Sequence, residues 1–184
     1  MDMAQNSTVF KIYLQIADMD RNYYADHSLT LARHPSETDE RMMMRLLAFV
    51  MNAQERLEFT RGLCEEDEPD LWLKSYSDEI ELWLEVGLPS EKRLKRACNR
   101  SQEAVLMTYG SDQAFNPWWQ SVKKLVASQK GLTIYRISED QSEALTALAQ
   151  RGAQISASIT DGQIWLSSEA GSATIDPQQI YPAV

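Results

Sequence analysis

The residues whose types and spacing could do chemistry are three carboxylates: Asp70, Glu85 and Glu40. Residues 70–86 predict a β-hairpin turning about Ser77-Asp78. That register sets Leu71 against Leu84 and Leu73 against Leu82 on one face. On the other it sets Trp72 against Trp83, Lys74 against Glu81 and Asp70 against Glu85. A one-residue slip would oppose leucine to tryptophan or charge throughout, so the register is well determined. Directly opposed residues have Cβ atoms about 5 Å apart. Two carboxylates on one polar face at that spacing repel, and they can share a proton, share a cation or be screened by water. Mg²⁺ takes oxygen ligands and is commonly held by one or two carboxylates. Glu40 follows the stripe of Met43 and Leu47 on the preceding helix and is expected to point towards the sheet, where it needs a partner: an arginine, a backbone amide or the same metal. Glu37, Arg41 and Arg45 form an i, i+4 row expected on a different face.

The elements that must position these groups can be read along the chain. Phe10, Ile12, Leu14 and Ile16 alternate with polar residues as in a half-buried strand, and residues 24–32 return antiparallel after the turn-rich stretch 18–22. Ser36 with Asp39 resembles a capping box and opens a helix from 37 to about 53, apolar nearly all round between Met42 and Met51 and so deeply buried. A weak strand near 57–60 and the acidic loop Glu65-Glu66-Asp67-Glu68 precede the hairpin. Ser90 caps a basic helix to about 102, and residues 104–109 read as a buried strand. Asn116-Pro117 marks a helix start, followed by a strand at 132–137 and a short helix at 142–150. Residues 155–159 and 164–168 flank Asp161-Gly162, a strong hairpin signal, and Thr174-Ile175 adds a last short strand. The fold class is mixed α/β of the α+β kind, a largely antiparallel sheet flanked by helices, in a single domain over 1–184.

Composition narrows the function classes. The chain has 184 residues, 43% of them hydrophobic and 24% charged, an ordinary globular balance. It carries no long apolar run and no basic-then-apolar start, and only two cysteines, Cys64 and Cys98, without ligand spacing. A soluble cytoplasmic protein without a membrane partner is expected. A net charge of −9 opposes non-specific nucleic-acid binding, so any such contact must use a local basic patch, Lys92-Arg93 with Lys95-Arg96 or the shorter Lys123-Lys124. The first patch interleaves with Leu94 and Ala97, and also reads as a solvated helix face. His27 and His34 have no zinc spacing, no serine sits in a G-x-S-x-G elbow, and no glycine-rich phosphate loop is present. Trp118-Trp119 suits core packing more than base stacking.

Over essentially the whole chain, the segments LQIADMDRNYYADHSLTLARHPSETDERMMMRLLAF, EPDLW, EIELWLEVGLPSEKRLKRAC and DGQIWL resemble the bacterial YaeQ family. The resemblance implies a variant of the PD-(D/E)XK restriction-endonuclease core at about 36–137, with a C-terminal helix and hairpin at about 138–184 packed on it. Pro69-Asp70 then matches the literal PD, Glu85 the acidic position, and Glu40 the glutamate on the first core helix, together a set for Mg²⁺ or Mn²⁺. The position of the catalytic lysine is Gly87, and Lys92 or Lys95 on the next helix would take its role. Two functions follow as expectations. One is a metal-dependent phosphodiesterase acting on nucleic acid; the other is a non-catalytic nuclease-like scaffold serving as a regulatory or protein-binding module.

Overall fold

The computed structural model describes residues 6–61 and 67–184. Cys64, Glu65 and Glu66 lie outside these residues. Among the described residues the chain forms strands β1 (Thr8–Asp18) and β2 (Tyr23–Arg33), helix α1 (Asp39–Asn52), and strands β3 (Leu57–Phe59), β4 (Leu71–Lys74) and β5 (Ile80–Val86). Helix α2 (Glu91–Arg100), β6 (Ser101–Thr108), α3 (Asp112–Ala127), β7 (Leu132–Arg136) and α4 (Glu139–Thr146) follow, then β8 (Gln154–Thr160), β9 (Gln163–Ser168), β10 (Gly171–Ile175) and β11 (Gln178–Tyr181). The mixed α+β class read from the sequence is the one observed.

The strands fall into two sheets. One has the order β10-β9-β8-β1-β2, the other β11-β7-β6-β5-β4-β3. Helix α1 lies between them. Its apolar residues share one core with Ile12, Leu14 and Ile155 of the first sheet and with Leu71, Leu73, Leu82 and Leu84 of the second. This explains why residues 42–50 are buried without interruption, Arg45 included: a helix between two sheets has no solvent-facing side there. A second core, under α2 and α3, covers the opposite face of the second sheet with Trp83, Leu94, Leu106 and Val126. The layers therefore run sheet, α1 with α4, sheet, α2 with α3.

The hairpin has the predicted register at Leu71↔Leu84, Trp72↔Trp83 and Leu73↔Leu82. A bulge then sets Lys74 opposite Ile80, not Glu81; Asp78 takes a positive φ of 70° in the turn, and Lys74 lies 3.9 Å over the Trp72 ring. The face expected to be polar is not. β5 and β6 pair in parallel, and a parallel crossover lays its helix on the sheet, so α2 covers that face and Trp83 is fully buried.

Three helix starts also differ from expectation, one being α4, which begins at Glu139 under a Ser138 cap rather than at 142. The cap of α1 is Thr38, whose hydroxyl accepts from Arg41 N at 3.1 Å, rather than Ser36. Helix α3 begins at Asp112 under a Ser111 cap and carries Pro117 inside it; the Ser111 side chain satisfies an early amide, so the helix does not need the proline to begin. The Asp161-Gly162 hairpin forms as read, with φ of 52° and 77° at its two turn residues. β8 then pairs in parallel with β1, joining the C-terminal hairpin to the N-terminal strands.

Candidate functional site

Asp70 and Glu85 sit at the ends of β4 and β5 and are almost wholly buried, 3% and 5% exposed. A buried carboxylate must be hydrogen-bonded and paired. The Asp70 carboxylate accepts from Arg41 of α1 at 2.7 Å on one oxygen, and from the backbone N–H of Val86 at 2.9 Å on the other. Glu85 turns to the opposite face of the sheet. There it accepts from the Trp83 indole at 3.0 Å and from Arg93 of α2, Nε at 2.9 Å and a terminal nitrogen at 2.7 Å. Each carboxylate is thus held by an arginine of a different helix, Asp70 from α1 and Glu85 from α2.

The network extends along α1. Arg41 also donates to Glu37 at 2.8 Å, and Arg45 grips Glu37 through two nitrogens at 2.9 and 2.6 Å. Positive and negative groups alternate from Arg45 through Glu37 and Arg41 to Asp70, and Arg93 closes the far end on Glu85. Arg93 further donates to the Glu68 carbonyl at 2.7 Å, tying the chain just before the hairpin to α2. Burial pushes the Glu85 carboxyl upward, with the Asp70 charge adding to the rise and Arg93 and Trp83 opposing it. Burial likewise pushes Tyr109 up to about 12; the Arg41 charge opposes this, and the charges of Glu40, Asp70 and Glu37 add to it.

Glu40 departs from expectation. It is half-buried and hydrogen-bonded to Ser142 of α4, with Glu139 and Glu143 nearby. Burial and those two charges raise its pKa, while Ser142 opposes the rise. The row expected on another face, Glu37-Arg41-Arg45, is the one that meets the hairpin. Lys92 and Lys95 are exposed on α2, and the residue of that helix that reaches the carboxylate pair is Arg93. Gly87 has a φ of 106°, and its N–H donates to the Met107 carbonyl at 2.9 Å. Gly87 is thus held in a backbone conformation that suits glycine.

A divalent ion binds at about 2.1 to 2.6 Å through unengaged oxygens. Both oxygens of Asp70 and both of Glu85 are occupied by donors, and Glu40 is turned to α4. Among the described residues no three His, Cys, Asp or Glu side chains gather into a metal-binding group. The residues present do not fit a shared Mg²⁺ or Mn²⁺. What sequence reasoning missed is Arg41 and Arg93. The signal was present: an i, i+4 charged row on a helix that is apolar all round has no solvent to face, so it must meet buried charges.

The fold and site define a mixed α+β protein with an antiparallel meander extended by parallel strands, its central carboxylates locked by arginines. Within that class the chain belongs to the YaeQ family, whose description "YaeQ protein" matches residues 3–177. It is 45% identical over 174 residues to the YaeQ protein of Escherichia coli (strain K12), covering 95% of this chain and 96% of that one. Two crystal structures are similar. The YaeQ protein of Xanthomonas axonopodis pv. citri superposes with a TM-score of 0.90 at 48% identity, over 95% of this chain and 98% of the other. That of Pseudomonas syringae gives 0.91 at 34% identity, over 96% and 97%. Among the described residues no helix is long and apolar enough to cross a membrane.

Proposed function

We propose that this chain is a non-catalytic module with a nuclease-like frame, and that it acts by holding a macromolecular partner rather than by cleaving a phosphodiester. The element order α1, β3, β4, β5, α2, β6, with β5 and β6 parallel, supports the frame of the PD-(D/E)XK kind. The observation that carries the reading is the saturation of Asp70 and Glu85 by Arg41, Val86 N–H, Trp83 and Arg93. Opening that pair to a metal would break the ion pairs of the buried Asp70 and Glu85 with Arg41 and Arg93, although Arg41 keeps Glu37 and Arg93 the Glu68 carbonyl, and breaking a buried pair costs roughly 3–5 kcal/mol. The positive φ of Gly87 adds to this, because no lysine is offered at the position that would steady an attacking water.

The test is calorimetric titration of Mn²⁺ and Mg²⁺ into the wild type and Asp70→Asn, with cleavage assays on single-stranded and duplex DNA and RNA. The expected result is neither binding heat nor cleavage. Metal-dependent cleavage abolished by Asp70→Asn would overturn the reading and restore the phosphodiesterase.

A further inference from the structure

The first sheet has one face on the α1 core and one that no helix covers among the described residues. Strand alternation and the registers place Val9, Tyr13 and Tyr24 on the open face, with Trp165 beside Ser158 on the neighbouring strands. These side chains are exposed, Tyr13 by 50%, Tyr24 by 59% and Trp165 by 42%, and exposed Met19 lies at the same end. Large apolar side chains are normally scattered singly over a surface. Here most of the exposed ones described gather on one sheet face or its rim, Tyr76 and Val184 being the exceptions.

The rest of that face is serine, threonine, glutamine and alanine. Lys11 and Asp26 are the only charged side chains at the outward positions of the five strands. A chain of net charge −9 therefore has one broad face with no net charge. Depletion of charge with exposed tyrosine and tryptophan is the signature of an interface core.

We infer that this face is where two copies of the chain pair, sheet against sheet, about a two-fold axis. Charge selects this occupant. Two acidic chains repel, and they approach with least penalty through their neutral faces. The two charges present are self-complementary. Lys11 pairs in register with Thr30, Tyr13 with Ser28 and Gln15 with Asp26, so Lys11 and Asp26 lie two rows either side of the Tyr13–Ser28 row. A two-fold passing near that row lays each Lys11 over the other copy's Asp26 and brings the two Tyr13 rings together, an isologous contact. A hollow of about 540 Å³ bordered by Tyr13, Asp26, Gln154 and Ser167 gives the rings room. Five strands spaced about 4.8 Å and rising about 3.3 Å per residue offer roughly 600 Å² per copy, close to the roughly 800 Å² per partner of a standard interface.

This surface is on the sheet remote from Asp70 and Glu85, so its test is independent of catalysis. The experiment is sedimentation velocity on the full chain from about 1 to 100 µM, for the wild type, Tyr13→Asp, Lys11→Glu, Asp26→Lys and the double variant Lys11→Glu/Asp26→Lys. A dimer is expected, weakened roughly tenfold or more by Tyr13→Asp and several-fold by each single charge reversal, with the double reversal restoring the wild-type constant. These positions are exposed, and unchanged circular dichroism spectra confirm folding. A wild type that stays monomeric overturns the inference, whatever else the face binds. So does a dimer indifferent to Tyr13→Asp, or one that the double reversal fails to restore.

Discussion

Arg41 donates at once to Glu37 and Asp70, and this double duty makes it the joint between helix and hairpin. Arg41→Ala strands the buried Asp70 carboxylate and is expected to lower stability by about 3–5 kcal/mol in urea denaturation. Arg41→Met combined with Asp70→Leu removes both charges together and is expected to cost less than either change alone; additive losses would contradict a compensated pair. Gly87 supplies a second prediction. A Cβ there would meet nothing within 4 Å, so Gly87→Ala and Gly87→Lys should each destabilise by about 1–3 kcal/mol through the backbone alone, and to a similar extent. Gly87→Lys is also expected to leave cleavage of DNA and RNA at background. The hairpin register was legible at Leu71↔Leu84, Trp72↔Trp83 and Leu73↔Leu82 because these pairs match by type; the shared face expected for Asp70 and Glu85 was not observed. The arginine partners were not legible, because Arg41 is separated from Asp70 by 29 residues and by a change of layer.

At the scale of elements, local turn chemistry was readable where one residue type is required and obscure where several serve. Asp161-Gly162 forms its hairpin because both turn residues need positive φ. The start of α3 was misplaced because Ser111, a plain N-cap, competes on paper with the more conspicuous Asn116-Pro117. One contact between turns was invisible in the sequence. The Asp20 carboxylate, in the β1–β2 turn, accepts from the backbone N–H of Asp161 and of Gly162, each at 2.8 Å. It fastens the N-terminal hairpin to the C-terminal one. Asp20→Ala is expected to cost about 1–2 kcal/mol, and Asp20→Asn to recover part of it, since its carbonyl oxygen can accept one bond. Thermal denaturation of the two variants side by side checks this.

At the scale of the molecule, burial of carboxylates sets a pH dependence. Glu40 and Glu85 both have raised pKa values when folded, so the native chain holds these protons to higher pH than the unfolded chain does. Their protonated forms favour the fold below the ordinary glutamate value, and that contribution is lost as pH rises through the raised values. Glu40→Gln keeps a partner for Ser142 and removes the titration. It is expected to be more stable than wild type at neutral pH, with the gap closing in acid; a gap independent of pH would contradict this. The half-buried β1 and the deeply buried α1 were foreshadowed by periodicity, but not the division of the strands into two sheets or their stacking order, which depends on partners far apart in the chain. The parallel pairing of Tyr13 with Gln154 has a consequence for synthesis. β1 is synthesised before β8, and its inner edge has no partner until β8 follows 141 residues later. At about 5–20 residues per second, that edge stands open for roughly 7–28 s. The nascent chain therefore carries an unpaired strand edge through that interval, when ribosome-bound chaperones have most to protect.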